Sequence, residues 1–220
     1  MAHDYGRGMA AHLRTAVTEI SRQRSVAVGL ILLGVFAWSC GNGSESGISR
    51  IERTGILRVG TDATYPPFES IDAATGEVMG FDIDLVREVC AELGCAPDFV
   101  VVPFDGIVAG LVSNKYDMIA STFTVTPERA RRVAYTTPYY TGGQALAVPA
   151  YDTVTRGVDD LRGRRIGVQL GTTGERRARL VPDAEVVSFE NIGAAFIDME
   201  NGHLDAVIND IPTAELIIRR

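Results

Sequence analysis

Apolar and polar positions along this chain switch between two patterns: short apolar runs of strand length, and longer stretches with one apolar face. Residues 57–61, Leu57-Arg-Val-Gly-Thr61, read as a strand that runs out into the loop Asp62-Ala-Thr-Tyr-Pro-Pro-Phe68. Residues 72–77 carry Gly76 and read as a turn. From 81 to 93 apolar residues fall at 81, 85, 86, 89, 90 and 93, one face of a helix, and Gly94 stops it. Residues 99–102 predict a strand, 106–111 the start of a helix, and 118–120 a strand ending at Ser121. An extended run at 144–148 follows Gly142-Gly143. The second half repeats the theme. A turn and strand occupy 161–168, Gly171-Thr-Thr-Gly174 opens a helix, and strands at 186–189 and 206–208 flank a helix at 194–199.

Regular alternation of strand and helix predicts mainly parallel sheets covered by helices, the α/β class. Ligands of such folds bind in loops at the carboxyl ends of the strands. Asp62, residues 121–124, residues 169–173 and Asn209-Asp210 all lie just past strand ends, so these polar groups converge by topology. The richest of these stretches is 121–140. Hydroxyls stand at 121, 122, 124 and 126, Thr126 suits a helix N-cap, Pro127 the first helical position, and Arg129 falls in the first turn. A hydroxyl-lined loop feeding an arginine fork makes a cradle for a carboxylate. The alternative is a capped helix whose arginines face solvent, the reading that suits Arg131 and Arg132.

With 220 residues, 46% hydrophobic and 22% charged, the chain has material for one or two globular domains. A net charge of −7, with no basic cluster interleaved with aromatics, argues against nucleic acid. Arg176, Arg177 and Arg179 read as the solvated face of a short helix. Near the start, Arg14, Arg22 and Arg24 precede an apolar run at 26–38, shorter than the ~20 residues that span a bilayer and suited to an export signal. Ser39-Cys40 and the polar stretch Gly41-Asn-Gly-Ser-Glu-Ser-Gly47 follow. This resembles a bacterial lipoprotein signal, with residues 1–40 as signal peptide, Cys40 lipidated and 41–50 a flexible linker. Trp38 stands where such signals usually carry a small residue, which leaves an uncleaved anchor or ordinary cleavage nearby as alternatives. For Cys90 and Cys95 a disulfide and two buried thiols are both open. His203 is the only histidine past the leader, which argues against a metal site, and no cofactor is expected.

Four segments stand in order along the chain: Gly80-Phe-Asp-Ile-Asp-Leu85, residues 121–140, Leu161-Arg-Gly-Arg-Arg-Ile-Gly-Val-Gln-Leu-Gly-Thr-Thr173, and Asp205-Ala-Val-Ile-Asn-Asp-Ile-Pro212. Together they resemble the extracellular solute-binding proteins of family 3, the polar amino-acid receptors of ABC importers. The resemblance runs from about Ile51 to the end of the chain. It implies a two-lobe periplasmic-binding-protein-like fold of type II, with lobe 1 at 51–141, a hinge strand region at 142–149 and lobe 2 at 150–220. Family members continue well past the position of Asp210, so the second lobe and the hinge return are expected to be incomplete and the chain less stable than a full-length relative. The spacing of the two cysteines also resembles a disulfide of the histidine and lysine/arginine/ornithine receptors, in a shorter loop.

Carried over by position, the resemblance gives Arg129 the ligand α-carboxylate, with Thr173 donating to the same group. It gives Asp210 the α-ammonium, helped by the Thr122 carbonyl and the Thr124 hydroxyl. Tyr65 and Phe104 would sandwich the ligand side chain, Asp62 would accept from its N–H donors, and Gln169 would face the same pocket. Each has a plainer alternative: Tyr65 and Phe104 as core, Asp210 as cap of the last helix, Thr173 as cap alone, Arg129 in a surface pair with Glu128 or Asp105. No spare cation accompanies the expected side-chain pocket, so glutamine or another polar amino acid is favoured, a basic one next, and a dicarboxylic one disfavoured. The implied protein is a monomeric, non-enzymatic receptor, extracytoplasmic, lipid-anchored to the membrane through Cys40 and delivering to permease subunits. The alternatives are a cyclohexadienyl-dehydratase-like enzyme, which would need an acid/base over its substrate ring, and the ligand-sensing module of a receptor.

Overall fold

The computed structural model describes residues 47–219; the leader, Cys40 and most of the linker lie outside the described residues. Helix α1 (Gly47–Thr54) leads into β1 (Ile56–Thr61), the centre of a parallel three-stranded sheet between β5 (Ala96–Val101) and β6 (Met118–Ile119). Leu57 and Val59 point to one face and are buried with Val86, Cys90 and Ala120. Helix α2 (Phe81–Leu93) supplies Val86 and Cys90 to that core. It ends at Gly94, whose φ of 66° is the left-handed turn that glycine adopts without a Cβ clash. The Cys95 N–H then reaches the Cys90 carbonyl at 2.9 Å. Of the two alternatives open for this pair, the structure has the thiols. Both cysteines are free thiols, Cys90 buried on the inner face of α2 and Cys95 packed beside it. A small buried thiol satisfies that site by packing alone.

Tyr116, 1% exposed, wedges between β1 and helix α3 (Ile107–Val112), its hydroxyl donating to the Ile107 carbonyl. A Cβ at Gly60 would lie 2.5 Å from the Tyr116 ring, so the wedge requires glycine there. A small antiparallel sheet, β2 (Thr64–Tyr65), β3 (Glu69–Ile71) and β4 (Val78–Met79), folds out of the loop after β1. Helix α4 (Pro127–Ala130) is a single turn, capped by Thr126, whose hydroxyl accepts from the Arg129 N–H at 3.2 Å.

The second sheet has the order β7 (Gln144–Ala147), β10 (Ala206–Asp210), β8 (Arg165–Gln169), β9 (Glu185–Phe189). Strands β8, β9 and β10 run parallel, and β7 joins the edge of β10 antiparallel. Strand β10 is buried on both sides, as expected for a central parallel strand. Ala206 and Ile208 face one core with Ile166, Val168 and Ala178, while Val207 faces another with Ala195, Phe196 and Leu204. The helices on these faces are α5 (Thr173–Ala178), α6 (Ile192–Glu200) and α7 (Ile211–Ile218). Asn191 caps α6 by accepting from the Ala194 N–H at 2.9 Å. Tyr65 and Phe68, from the loop after β1, pack into the Val207 core and so seat the first lobe on the second.

Candidate functional site

The carboxyl ends of β1, β6, β8 and β10 meet at a cavity of about 20 Å³, roughly room for one water. Every candidate ligand residue except Asp62 lines it: Tyr65, Phe104, Thr122, Thr124, Arg129, Gln169, Thr173 and Asp210. Asp62 stands directly behind Gln169. A second cavity of about 460 Å³ shares Thr122, Thr124, Thr173 and Asp210 and extends along Tyr135, Tyr139, Tyr140 and Gln144. Of the candidate charged groups only Asp210 reaches it.

Arg129 extends from α4 across the first cavity. Its Nη1 donates to the Thr124 carbonyl and its Nη2 to the Gly171 carbonyl, each at 3.0 Å. The guanidinium carbon lies 4.1 Å from the Phe123 ring centroid and 5.4 Å from that of Phe104. Burial pulls its pKa down from the usual arginine range, with the Arg176 charge adding to the shift and Tyr135, Asp210 and Glu128 opposing it. Among the described residues it forms no ion pair. Glu128, the surface partner weighed above, bonds Arg176 instead at 3.1 Å. The guanidinium is thus half-desolvated and bonded only to neutral carbonyls.

Asp210 faces it from the end of β10. The Tyr65 hydroxyl donates to its Oδ2 at 3.0 Å and also to Asn209 Oδ1. Asp210 stands at the N-cap position of α7, yet its side chain makes no capping bond. Burial raises its carboxyl pKa, while the Tyr65 bond and the Arg129 charge pull the other way. Tyr65 therefore belongs to both readings, its ring in the core and its hydroxyl at the cleft. Phe104 is half-buried beneath Arg129, 5.7 Å from Phe123 between ring centroids.

Asp62 is 4% exposed, with its carboxylate accepting from Gln169 Nε2 at 2.9 Å and from the Thr64 hydroxyl. Burial raises its pKa; bonds from Thr64, Gln169 and the Phe104 backbone oppose that. Gln169 Nε2 also reaches the Glu190 carbonyl at 3.1 Å, while its buried Oε1 has no partner among the described residues. Two neighbouring threonines divide the opening of α5. Thr172 is the cap, accepting from the Glu175 N–H at 3.2 Å, and Thr173 accepts from Gln144 Nε2 at 3.0 Å. Glu175 holds the loop before them by accepting from the Gly171 N–H at 2.7 Å and the Ser188 hydroxyl at 2.9 Å.

Sequence reasoning missed a buried layer under this cavity. Glu69 and Asp82 bond Ser121 and Thr122. Acidic residues default to solvent when read from sequence, and only the Gly80-Phe-Asp82 motif gave any signal. No group of histidine, cysteine, aspartate or glutamate among the described residues is arranged to hold a metal ion.

The pattern of the bacterial extracellular solute-binding proteins, family 3, matches residues 57–164. The chain is 34% identical over 184 residues to the probable histidine-binding protein of Campylobacter jejuni, covering 83% of this chain and 71% of that one. It is 39% identical over 155 residues to the ABC transporter arginine-binding protein 1 of Escherichia coli, covering 70% of this chain. It spans 63% of that relative's length. The structure is similar to the ancestral amino acid-binding protein AncCDT-1, described as a precursor of cyclohexadienyl dehydratase. The TM-score is 0.76 at 38% identity, over 79% of this chain and 78% of that one. Two α/β lobes with strand-end loops meeting at one small polar cavity define a binding-cleft protein. The chain belongs to the bacterial extracellular solute-binding proteins, family 3.

Proposed function

We propose that this chain captures a polar or basic L-amino acid between its lobes and delivers it to an ABC importer, without chemistry. One observation carries the reading: a half-buried guanidinium, without an ion pair among the described residues, and a half-buried carboxylate face each other across one cavity. That is the charge pattern of an amino acid's zwitterionic head. The ligand carboxylate would take the Arg129 fork from its carbonyl partners, with the Thr173 hydroxyl beside it. The ammonium would bond Asp210, the Thr122 carbonyl and the Thr124 hydroxyl. Bidentate, charge-assisted bonds in a water-poor cleft are the strong kind.

The side chain would run between Tyr65 and Phe104 toward Asp62 and Gln169. A buried carboxylate that already accepts an amide N–H suits a side chain carrying N–H donors, as in arginine, histidine or glutamine. Relatives named as arginine- and histidine-binding proteins support that class. A second ligand carboxylate would meet Asp62 rather than a cation.

Contacts join the lobes at the cleft from Arg129 to Gly171, Asp62 to Gln169, Tyr65 to Asn209 and Asp210, and Glu128 to Arg176. Closure about the hinge at 142–149, between lobe 1 at 51–141 and lobe 2 at 150–220, would make and break this set. The ligand would shift the equilibrium by contacts it makes only in the closed form. An extracytoplasmic monomer tethered by a lipid on Cys40 would keep the receptor near its permease. The enzyme and sensor readings make a different prediction, turnover or signalling in place of simple capture.

The test is a thermal-shift scan of the chain against the twenty amino acids. Stabilisation by arginine, histidine or glutamine, with none by glutamate or aspartate, is expected. Strong stabilisation by a dicarboxylic amino acid would sink the assignment of ligand class.

A further inference from the structure

Two carboxylates that the ligand contacts do not use are buried beneath the cleft and converge on one residue. Glu69, from β3, is 1% exposed; its Oε1 accepts from the Ser121 hydroxyl at 2.9 Å and its Oε2 from the Thr122 hydroxyl at 2.8 Å. Asp82, from the first turn of α2, is fully buried. Its Oδ2 accepts from the Thr122 N–H at 2.7 Å and the Tyr139 hydroxyl at 2.8 Å. Its Oδ1 is buried with no partner among the described residues. Thr122 is thus held at both its hydroxyl and its amide. Its φ is +47°, a left-handed conformation that a β-branched residue rarely takes unless its surroundings impose it. Ser121, bonded to the same Glu69, also accepts from the Asp62 N–H at 2.9 Å. One buried pair therefore grips the loop on the head-group side of the cleft and, through Ser121, the backbone of the side-chain pocket.

We propose that Glu69 and Asp82 are positioning residues for amino-acid binding, clamping Thr122 in the strained backbone that lines the cleft, and that the clamp holds while the pair carries one proton. The inference rests on the receptor reading above. The groups facing Glu69 from neighbouring elements are themselves acids or phenols. They are Asp82 on α2, Asp62 after β1, Tyr65 on β2 and Tyr139 on the segment after α4. The bonds to the two carboxylates come from hydroxyls and one amide. Burial, with the Asp82 charge adding to it, pushes the Glu69 carboxyl up to about 9, against the pull of the Thr122 and Ser121 bonds. Burial likewise raises Asp82.

An acid whose pKa is raised by folding binds its proton more tightly folded than unfolded. Its contribution is complete below the ordinary glutamate range of about 4.3 and is lost as pH climbs toward about 9. Above that, two negative charges would share one dry site and the grip on Thr122 would loosen.

The experiment compares the wild-type chain with Glu69→Gln and Glu69→Ala, titrating L-arginine, L-histidine and L-glutamine from pH 7 to 10 and melting each protein without ligand. Glutamine copies the neutral acid in shape. Glu69→Ala should weaken binding about tenfold or more at pH 7, and Glu69→Gln should restore most of it. The ratio of wild-type to Glu69→Gln dissociation constants should rise at least several-fold between pH 8 and 10. The ligand ammonium titrates equally against both proteins and cancels in that ratio. Should Glu69→Ala fail to fold, this ratio and the ligand-free melts decide. Wild type should lose stability relative to Glu69→Gln as pH rises from 7 to 9. A flat ratio, or Glu69→Gln as weak as Glu69→Ala, overturns the clamp while leaving the receptor reading intact. No binding by wild type at any pH overturns the receptor reading and the binding role of the clamp together.

Discussion

Replacing Arg129 with alanine separates binding from folding. In the ligand-free protein the guanidinium makes two carbonyl hydrogen bonds and rests on two aromatic rings. Each contact contributes about 1 kcal/mol, and holding a half-desolvated cation without an anion offsets part of that sum. The ligand-free melting temperature should fall by less than the roughly 8–16 °C that the full sum of about 4 kcal/mol would give. Binding is another matter. Removing the cation leaves the ligand carboxylate desolvated opposite carbonyl oxygens and near the Asp210 carboxylate. Truncating one partner of a buried charge pair costs about 3 kcal/mol, roughly a hundredfold in Kd. Lysine should recover little, because a point charge cannot copy the fork or the stacking. Calorimetric titration of whichever amino acid stabilises the wild type, beside a melt of each variant, reads both quantities. A Kd within threefold of wild type in a folded Arg129→Ala protein would refute the reasoning.

Three further expectations follow from the same geometry. Asp62→Asn removes the buried acceptor charge and should weaken arginine about tenfold while changing glutamine less, since only the former carries a side-chain cation; equal losses in a titration of both would contradict it. Gly60→Ala drives a Cβ into the Tyr116 ring and should destabilise by about 1–3 kcal/mol, seen as a lower melting temperature, whereas an unchanged melt would show that the wedge yields freely. Cys95 should react with a thiol reagent in the folded protein and Cys90 only on unfolding, the Cys90 thiol being buried and its pKa pushed up to about 11; a form in which neither reacts until reduced would restore the disulfide.

The parts of the fold that read well from sequence are those with a local physical cause. The face of α2 repeats at helical spacing, Gly94 must end it, and Thr126-Pro127 must open α4. The convergence of strand-end loops needed only the βα alternation. Other features depend on neighbours distant in sequence. Strands β2 and β4 are two residues long, too short to carry a period. The α4 helix stops after one turn although the residues behind it do not forbid continuation. Thr172 and Thr173 are equal candidates for one cap until the loop held by Glu175 assigns it. Tyr65 is both core and cleft, its ring packed in the one and its hydroxyl bonded in the other. The burial of Glu69 and Asp82 is not legible locally, because it depends on a hydroxyl 53 residues from the one and a backbone amide 40 residues from the other.

The central claim is recognition of a zwitterionic head by Arg129 and Asp210, and a paired titration tests it most directly. L-arginine would be compared with agmatine, which keeps the guanidinium and the amine but lacks the carboxylate. Saturable binding of arginine with agmatine at least about a hundredfold weaker is the predicted result, with L-histidine and histamine as a second pair following the same order. Equal binding of an amino acid and its decarboxylated partner would contradict the account, because the guanidinium on α4 would then have no carboxylate to hold.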